Sequence, residues 1–231
     1  MGNLKIKREN DRIFKSGNFC EMHSETIAEL AEPVEIRRKE PFVIAEHTEK
    51  ITTIESILAH SGKKVIALNF ANAMYPGGGY ALGGDAQEES LCRASLLYYT
   101  IKMQKQYYRK NRLHILPDYT DLIIYSENVP IIRNDRGELL KEAVSCSFIT
   151  CPAVNRTFAR FMFSERNIDR KMYGRIKRII TLAVMKSPDI VVLGAFGCGM
   201  FGNKQKKVLP MFEELINKYV PDNIEVFFAI P

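Results

Sequence analysis

Two adjacent carboxylates, Glu88 and Glu89, are the residues through which this sequence best supports acid–base chemistry. They follow an apolar predicted strand, Val65–Leu68, and a segment that contains five glycines and two asparagines. Such glycines let backbone N–H groups approach a ligand, and a helix predicted to begin at about Glu88 adds a partial positive charge. On a helix the two side chains diverge by about 100°. One carboxyl can therefore hold sugar hydroxyls while the other acts as general acid and then base at a glycosidic carbon.

The alternative for these two acids is an ordinary charged first turn, because acids there complement the helix dipole. Taken alone, Glu88 and Glu89 fit that alternative better. The neighbouring glycines and asparagines, together with Gln87, favour the catalytic interpretation.

A second glycine-rich loop, Gly194–Gly202, follows the apolar predicted strand Asp189–Leu193. Its GxGxxG spacing is that of dinucleotide-binding folds, but those folds build several more strands after the motif, and only one helix and one strand remain here. A backbone-lined loop before a helix can still hold a diphosphate. Ligands of such sheets bind at the carboxyl ends of the strands, so we expect both glycine loops to face one crevice.

Three other residues near this second loop have two interpretations each. Phe201 is a candidate to stack on a ribose or base, whereas Phe196 is more typical of a core aromatic. Asn155 follows a predicted strand and is equally well explained as a turn residue or as a ligand contact.

Composition indicates a globular chain of 231 residues, long enough for one domain with a substantial core. No apolar run approaches the length of a membrane span, and the N-terminus lacks the apolar core of a signal peptide, so a cytoplasmic location is expected. The five cysteines and four histidines are scattered without the spacing of a zinc site. We therefore predict no metal, no cofactor and reduced, buried thiols.

The net charge of +6 includes a basic run from Lys102 through Lys105, Arg109, Lys110 and Arg112 that contains no acid. A run of this kind is usually a solvated helix face. The alternative is a surface that binds a polyanion, which would benefit from the same charges.

Predicted strands and helices alternate through most of the chain, which indicates a layered α/β fold. We predict an N-terminal extension over residues 1–40 with one helix near Glu25–Leu30, and a catalytic domain over residues 41–231. Within that domain, Phe42–Ala45 is predicted as a short strand, and the apolar spacing from Glu88 predicts a long helix to about Tyr107.

The segment Gly77-Gly-Gly79, seven further residues and then Gln87-Glu88-Glu89 resembles the GGG-x(6–8)-QEE signature of poly(ADP-ribose) glycohydrolases of the short microbial type. Further similar segments, in the same order over about residues 25–231, are Asn69–Asn72, Ser90–Tyr98, Tyr125–Arg133, Cys151–Asn155 and Gly194–Asn203. The resemblance implies a macrodomain-like fold, a three-layer α/β/α sandwich with a mixed central sheet that binds ADP-ribose in a crevice.

The resemblance also implies roles for individual residues. Glu89 would protonate the leaving oxygen of the ribose–ribose bond and then activate water, and Glu88 would fix the hydroxyls of the adjoining ribose. Asn72 would contact the terminal ribose, Gln87 would lie beside the adenosine end, and Phe201 would orient the terminal ribose. The diphosphate would be surrounded by Gly77, Gly78 and Gly79 and by Gly197, Cys198 and Gly199. Asp85 stands where a basic or small residue is expected, which could alter how polymer enters.

The function that we predict is release of ADP-ribose from poly(ADP-ribose), with the polymer or an ADP-ribosylated protein as partner and ADP-ribose as product. No membrane and no sequence-specific nucleic acid is expected as a partner. Two alternatives are a module that binds ADP-ribose without cutting it and a hydrolase of mono-ADP-ribosylated substrates. The intact Gln87-Glu88-Glu89 argues against the first, since a binding module has no need of the acid.

Overall fold

The computed structural model describes residues 2–17, 19, 21–36 and 38–231. Within them, seven strands form one mixed sheet in the order β1-β4-β5-β3-β6-β7-β2. The strands β1 and β4 pair antiparallel, as do β4 and β5, and every other neighbouring pair is parallel. Their bounds are β1 (His23–Ile27), β2 (Thr48–Glu49), β3 (Val65–Phe70), β4 (Ile123–Arg133), β5 (Leu139–Cys151), β6 (Ile190–Leu193) and β7 (Glu225–Ala229).

Helices cover both faces of this sheet. They are α1 (Asn3–Ser16), α2 (Thr53–Ala59), α3 (Gln87–Ala94), α4 (Leu97–Lys102), α5 (Lys105–Leu113), α6 (Arg156–Ala159), α7 (Glu165–Met185) and α8 (Gln205–Tyr219). Alternate residues of a strand point to opposite faces, and β3 accordingly gives Ile66 and Leu68 to the core under α7 and α8, and Val65 and Ala67 to the core under α2–α5. The predicted α/β/α sandwich with a mixed sheet is confirmed. No helix of the described residues is both long and apolar enough to span a membrane.

Strand β1 contributes to this sheet, and helix α1 packs against its core. Strand β1 is an edge strand that pairs with β4 from His23 opposite Glu127 to Ile27 opposite Ile123. In α1, the buried Asn10 donates to the carbonyl of Arg93 (2.9 Å) and accepts from Nε of Arg133 (3.0 Å). The division at residue 40 stays a prediction, and the sheet itself extends across it.

We expect Asn10→Ala to lower the free energy of unfolding by roughly 2–3 kcal/mol, because the buried Arg133 would lose a hydrogen-bond partner. The exposed Arg8 on the same helix provides a matched control, and Arg8→Ala should change stability by no more than about 0.5 kcal/mol. Urea unfolding of the two variants measures both values. Equal stabilities would mean that α1 is not part of the cooperative unit.

Three local predictions were wrong. The helix near Glu25–Leu30 overlaps β1, because hydrogen bonding to β4 overrides its weak helical pattern. The strand at Phe42–Ala45 is replaced by a short 3-10 turn over Ile44–His47. The helix predicted from Glu88 to Tyr107 is divided among α3, α4 and α5.

The first break in that helix has a visible cause. Ser95 leaves α3 to form a bridge with Ile131 of β4, and the amide of Leu96 donates to the carbonyl of Pro130 at 3.0 Å. Ser95 Oγ then accepts from the amide of Leu97, which starts α4. Ser95 and Leu96 therefore pair with the sheet, which interrupts a segment whose apolar spacing is helical.

Candidate active site

The site is built where β3 ends and α3 begins, and Gln87 joins the two. Strand β6 pairs with β3 only as far as Ala67, so the backbone beyond it lacks a strand partner on that side. The side-chain amide of Gln87 takes the place of the missing strand. Its Oε1 accepts from the backbone amide of Phe70 and its Nε2 donates to the carbonyl of Leu68, both at 2.9 Å. Gln87 thereby fixes the first turn of α3, and with it the two carboxylates that follow.

Glu88 is buried, with 3% of its surface exposed, and its carboxyl is held from two sides. Oε2 accepts from the amide of Asn72 at 2.7 Å, and Oε1 accepts from Nδ2 of Asn69 at 3.2 Å. Asn69 also donates to Thr150 on the adjacent strand β5, at 3.2 Å. Burial outweighs these donors and raises the pKa of Glu88 to about 8.

The raised pKa predicts that stability falls with pH through a defined window. The folded chain keeps a proton on Glu88 that the unfolded chain releases near its ordinary value of 4.5, so stability is highest below about 4.5 and declines until about 8. The decline is at most about 1.4 kcal/mol per pH unit. In Glu88→Gln this component should disappear, which urea unfolding of both proteins from pH 5 to pH 8 measures; parallel curves would contradict the assignment.

Glu89 occupies a different environment from Glu88, partly exposed at the wall of a cavity. Its Oε1 accepts from the backbone amide of Gly79 at 2.7 Å. A Cβ on Gly78 would lie 2.5 Å from the same oxygen. The backbone at residue 78 therefore approaches the Glu89 carboxyl at a distance that leaves no room for a side chain. The Glu89 carboxyl is therefore oriented by backbone and remains open to a ligand.

The glycines at 77–79 do not present their amides to the cavity. The amide of Gly79 is used by Glu89, the amide of Gly78 donates to the carbonyl of Tyr75, and the backbone of Gly77 lies close enough to Glu88 to lower its pKa. The first glycine loop thus holds the carboxylates, and its contact with a diphosphate stays a prediction.

Asn72 connects this loop to the cavity. Its Oδ1 accepts from the amides of Met74 and Tyr75, at 2.9 and 3.0 Å, and so fixes the turn that leads into Gly77. Its Nδ2 has no hydrogen-bond partner within the described residues and is available to a ligand hydroxyl.

The second glycine loop has backbone amides that are free to bind a ligand. In the described part of the chain, the backbone N–H groups of Gly197, Gly199, Met200 and Phe201 donate to no backbone carbonyl. The loop is closed by Asn203, which donates to the carbonyls of Val154 (2.8 Å) and Gly197 (3.2 Å). Gly199 faces open space, with nothing within 4 Å of the position of a Cβ.

Cys198 and Asn155, like the glycines at 77–79, are not part of the cavity lining. Cys198 points its Sγ at the carbonyl of Phe196 (3.6 Å), and burial raises the pKa of its thiol to about 11. Asn155 is buried at the start of α6, where its carbonyl accepts from the amides of Phe158 and Ala159. Its side-chain Oδ1 is buried and has no hydrogen-bond partner within the described residues, so its contact with a ligand stays a prediction.

A cavity of about 360 Å³ brings together the second glycine loop and both carboxylates, and Gly77, Gly78 and Gly79 of the first loop are not part of its lining. Its lining includes seven of the predicted site residues, Asn72, Gln87, Glu88, Glu89, Gly197, Gly199 and Phe201, together with Phe70, Ala71, Ala86, Ala153, Ala195 and Met200. The described residues contain no cluster of His, Cys, Asp and Glu that could hold a metal ion.

Sequence reasoning missed Asn69, Thr53 and Thr150, which position the site from behind. Nε2 of Gln87 donates to Thr53 Oγ1 at 3.2 Å, in addition to its bond with β3. Asn69 was counted only as one of two asparagines near the glycines. Asn69 is a polar residue near the end of an otherwise apolar buried strand, and this position could have indicated its role.

Residues 4–134, which include Gln87-Glu88-Glu89, match the family described as microbial-type PARG, catalytic domain, where PARG is poly(ADP-ribose) glycohydrolase. This chain belongs to the microbial-type PARG family. The match contains α1, β1 and the first glycine loop, and ends within the turn that follows β4. No curated protein matches the chain.

Solved PARG structures are similar over nearly the whole chain. The PARG of Thermomonospora curvata is 26% identical, with a TM-score of 0.81 over 98% of this chain and 92% of that one. The same enzyme bound to the inhibitor ADP-HPD is 29% identical, with a TM-score of 0.80 over 99% and 92%. The PARG of Deinococcus radiodurans in complex with ADP-ribose is 36% identical, with a TM-score of 0.72 over 79% and 76%.

Proposed function

We propose that this PARG catalytic domain releases ADP-ribose by hydrolysing the ribose–ribose bond of poly(ADP-ribose), with Glu89 as general acid and then general base. The observation that carries the proposal is the contrast between the two carboxyls. Glu88 is buried and held by two donors, whereas Glu89 is held by one backbone amide at the wall of the cavity.

The lining of the cavity supports a place for each part of the ligand. The free amides of the second glycine loop suit the diphosphate, since backbone N–H groups bind such anions well. Nδ2 of Asn72 and the carboxyl of Glu88 suit the hydroxyls of the terminal ribose, and the ring of Phe201 covers that sugar. A second cavity of about 280 Å³ shares Phe70, Ala86, Gln87 and Ala195 with the first and extends to Thr53 and Ile230, and we place the adenosine end there.

The reaction then needs one carboxyl that moves a proton twice. Glu89 in its protonated form donates to the bridging oxygen while the bond from that oxygen to the anomeric carbon breaks, which leaves an oxocarbenium-like ribose. Water attacks the anomeric carbon, and the Glu89 carboxylate removes a proton from that water. The products are ADP-ribose and a polymer one unit shorter, and Glu89 is protonated again.

The raised pKa of Glu88 suits an acid, so Glu88 is the competing candidate for proton donor. Its burial and its bonds to Asn69 and Asn72 keep the Glu88 carboxyl from moving toward the leaving oxygen to donate a proton. We therefore assign it to the ribose hydroxyls, where a protonated carboxyl also donates a hydrogen bond.

The test of this function is release of free ADP-ribose from labelled poly(ADP-ribose) by the purified protein. A parallel reaction with a mono-ADP-ribosylated peptide identifies the alternative substrate class. Binding of ADP-ribose by calorimetry, with no product from either substrate, would instead indicate a binding module. The substrate would reach the enzyme either as free polymer or as an ADP-ribosylated protein, and the cytoplasmic location stays a prediction.

A further inference from the structure

Helix α5 carries a row of cations on its outer face. Lys105, Arg109 and Arg112 are spaced four and three residues apart, so they lie along one side of the helix, and all three are exposed. The opposite side packs into the core through Tyr107, Tyr108 and Asn111. Lys110, next to Arg109, is exposed as well. We call Lys105, Arg109, Lys110 and Arg112 the α5 basic face.

These cations have no acidic partners. In the described part of the chain, none of the four residues of the α5 basic face forms an ion pair, and the segment from Lys102 through Arg112 contains no acid. Two partly buried lysines elsewhere are different: Lys177 of α7 pairs with Glu32, and Lys186, just beyond that helix, pairs with Glu25. An unpaired cluster of this kind raises the local concentration of polyanions.

The α5 basic face is joined to the catalytic carboxylates. Nη1 of Arg112 donates to the carbonyl of Met74 at 2.8 Å. Met74 belongs to the turn that Asn72 fixes, and the amide of Asn72 donates to Glu88. Tyr75, which follows Met74 in the same turn, has 61% of its surface exposed and offers an aromatic ring on which a base can stack.

The position of α5 relative to the cavity selects the part of the substrate that can reach it. The second cavity, where we place the adenosine of the bound unit, lies beyond Gln87 and reaches Thr53 and Ile230. The turn at Met74–Tyr75 follows Asn72, which lines the first cavity together with Glu89. This is the end of the cavity where we place the terminal ribose. The polymer that leaves from the bridging oxygen therefore emerges on the side of α5.

We propose that the α5 basic face binds the diphosphates of the polymer that remains after cleavage, and so makes the enzyme prefer long chains. This inference rests on the proposed function, whose substrate is a repeating polymer with two phosphates in each unit. A solvated helix face would need neither a shared absence of acids nor a contact to the catalytic turn. Occupation by polymer explains both features.

The experiment compares a long polymer with a dimer of ADP-ribose, which leaves only one unit behind. In the variant Lys105→Gln/Arg109→Gln/Lys110→Gln, KM for long polymer should rise about 10-fold with kcat little changed, because three phosphate contacts are lost. KM for the dimer should change less than about 2-fold, and the salt dependence of KM for long polymer should become shallower. Arg112 is left intact because it supports Met74.

A matched control removes the same charges elsewhere. Arg8, Lys63 and Lys141 are exposed, and Arg8→Gln/Lys63→Gln/Lys141→Gln should leave both KM values unchanged. Equal rises for long polymer and dimer, or an equal effect in the control, would overturn the proposal. Turnover of the dimer by the wild-type protein tests the proposed function separately, since it does not depend on α5.

Binding to a form that does not turn over completes the test. Fluorescence anisotropy of labelled long polymer with Glu89→Gln should give a Kd about 10-fold weaker when the three α5 substitutions are added. If single-stranded DNA of similar charge bound as tightly and lost the same affinity, the surface would belong to nucleic acid and the proposal would be overturned.

Discussion

Glu89→Gln is expected to lower the rate of ADP-ribose release from poly(ADP-ribose) by about two to four orders of magnitude, the range typical of general acid–base catalysis. Glutamine keeps an oxygen that can accept from the amide of Gly79, so the side chain can stay where Glu89 lies. It has no proton to give to the bridging oxygen and cannot take one from water. Single-turnover measurements of labelled product will give the chemical step directly.

A matched control for this substitution is Glu142→Gln, at an exposed position of β5 that is not part of the cavity lining. We expect it to retain full activity, and we expect Glu89→Gln to bind ADP-ribose with an affinity close to that of the wild type. If Glu89→Gln turned over normally and Glu88→Gln did not, the proton donor would be Glu88. The assignment of the two carboxyls would then have to be reversed.

Much of the fold and part of the site could be predicted from the sequence because the signals were local. Apolar strands that run into glycine loops indicated a layered sheet with one crevice. The cavity lining contains the two adjacent acids and the second glycine loop, as that reasoning expected. Each of these features depends on a residue type and on its immediate neighbours.

The remaining features depend on contacts between distant segments, which no local pattern carries. The side-chain amide of Gln87 is bonded to the backbone of β3 because β6 stops pairing at Ala67. The amides of Gly77–Gly79 turn to the carboxylates because of how α3 docks on the loop. The place of α1 depends on contacts with residues far away in the chain, among them the hydrogen bonds of Asn10 with Arg93 and Arg133.

Gly78→Ala is expected to lower kcat/KM by about 100-fold, the size of effect that a displacement of about 1 Å at a reacting group can produce. The new Cβ would lie 2.5 Å from Oε1 of Glu89, and this oxygen is the end of a flexible side chain. The carboxyl would therefore move away and lose its bond to the amide of Gly79. The fold would survive, but the acid would no longer face the anomeric carbon.

The backbone strain of this substitution can be separated from its effect on Glu89. Gly78 has φ +54°, a conformation that costs a residue with a Cβ roughly 1–2 kcal/mol. Gly62 has φ +89° with nothing within 4 Å of its Cβ position, so Gly62→Ala should lose similar stability and keep full activity. Urea unfolding and polymer turnover of both variants measure the two effects.

The same displacement predicts how the two substitutions combine. If Gly78→Ala acts only by moving the Glu89 carboxyl, adding it to Glu89→Gln should cost much less than the 100-fold that it costs alone, because the group that it displaces no longer transfers a proton. A full further loss in the double variant would mean that Gly78 acts on the ligand itself. In that case the first glycine loop would contact the substrate directly, as the resemblance to poly(ADP-ribose) glycohydrolases implied, and the hydrogen bond between Gly79 and Glu89 would not be the reason for the glycines.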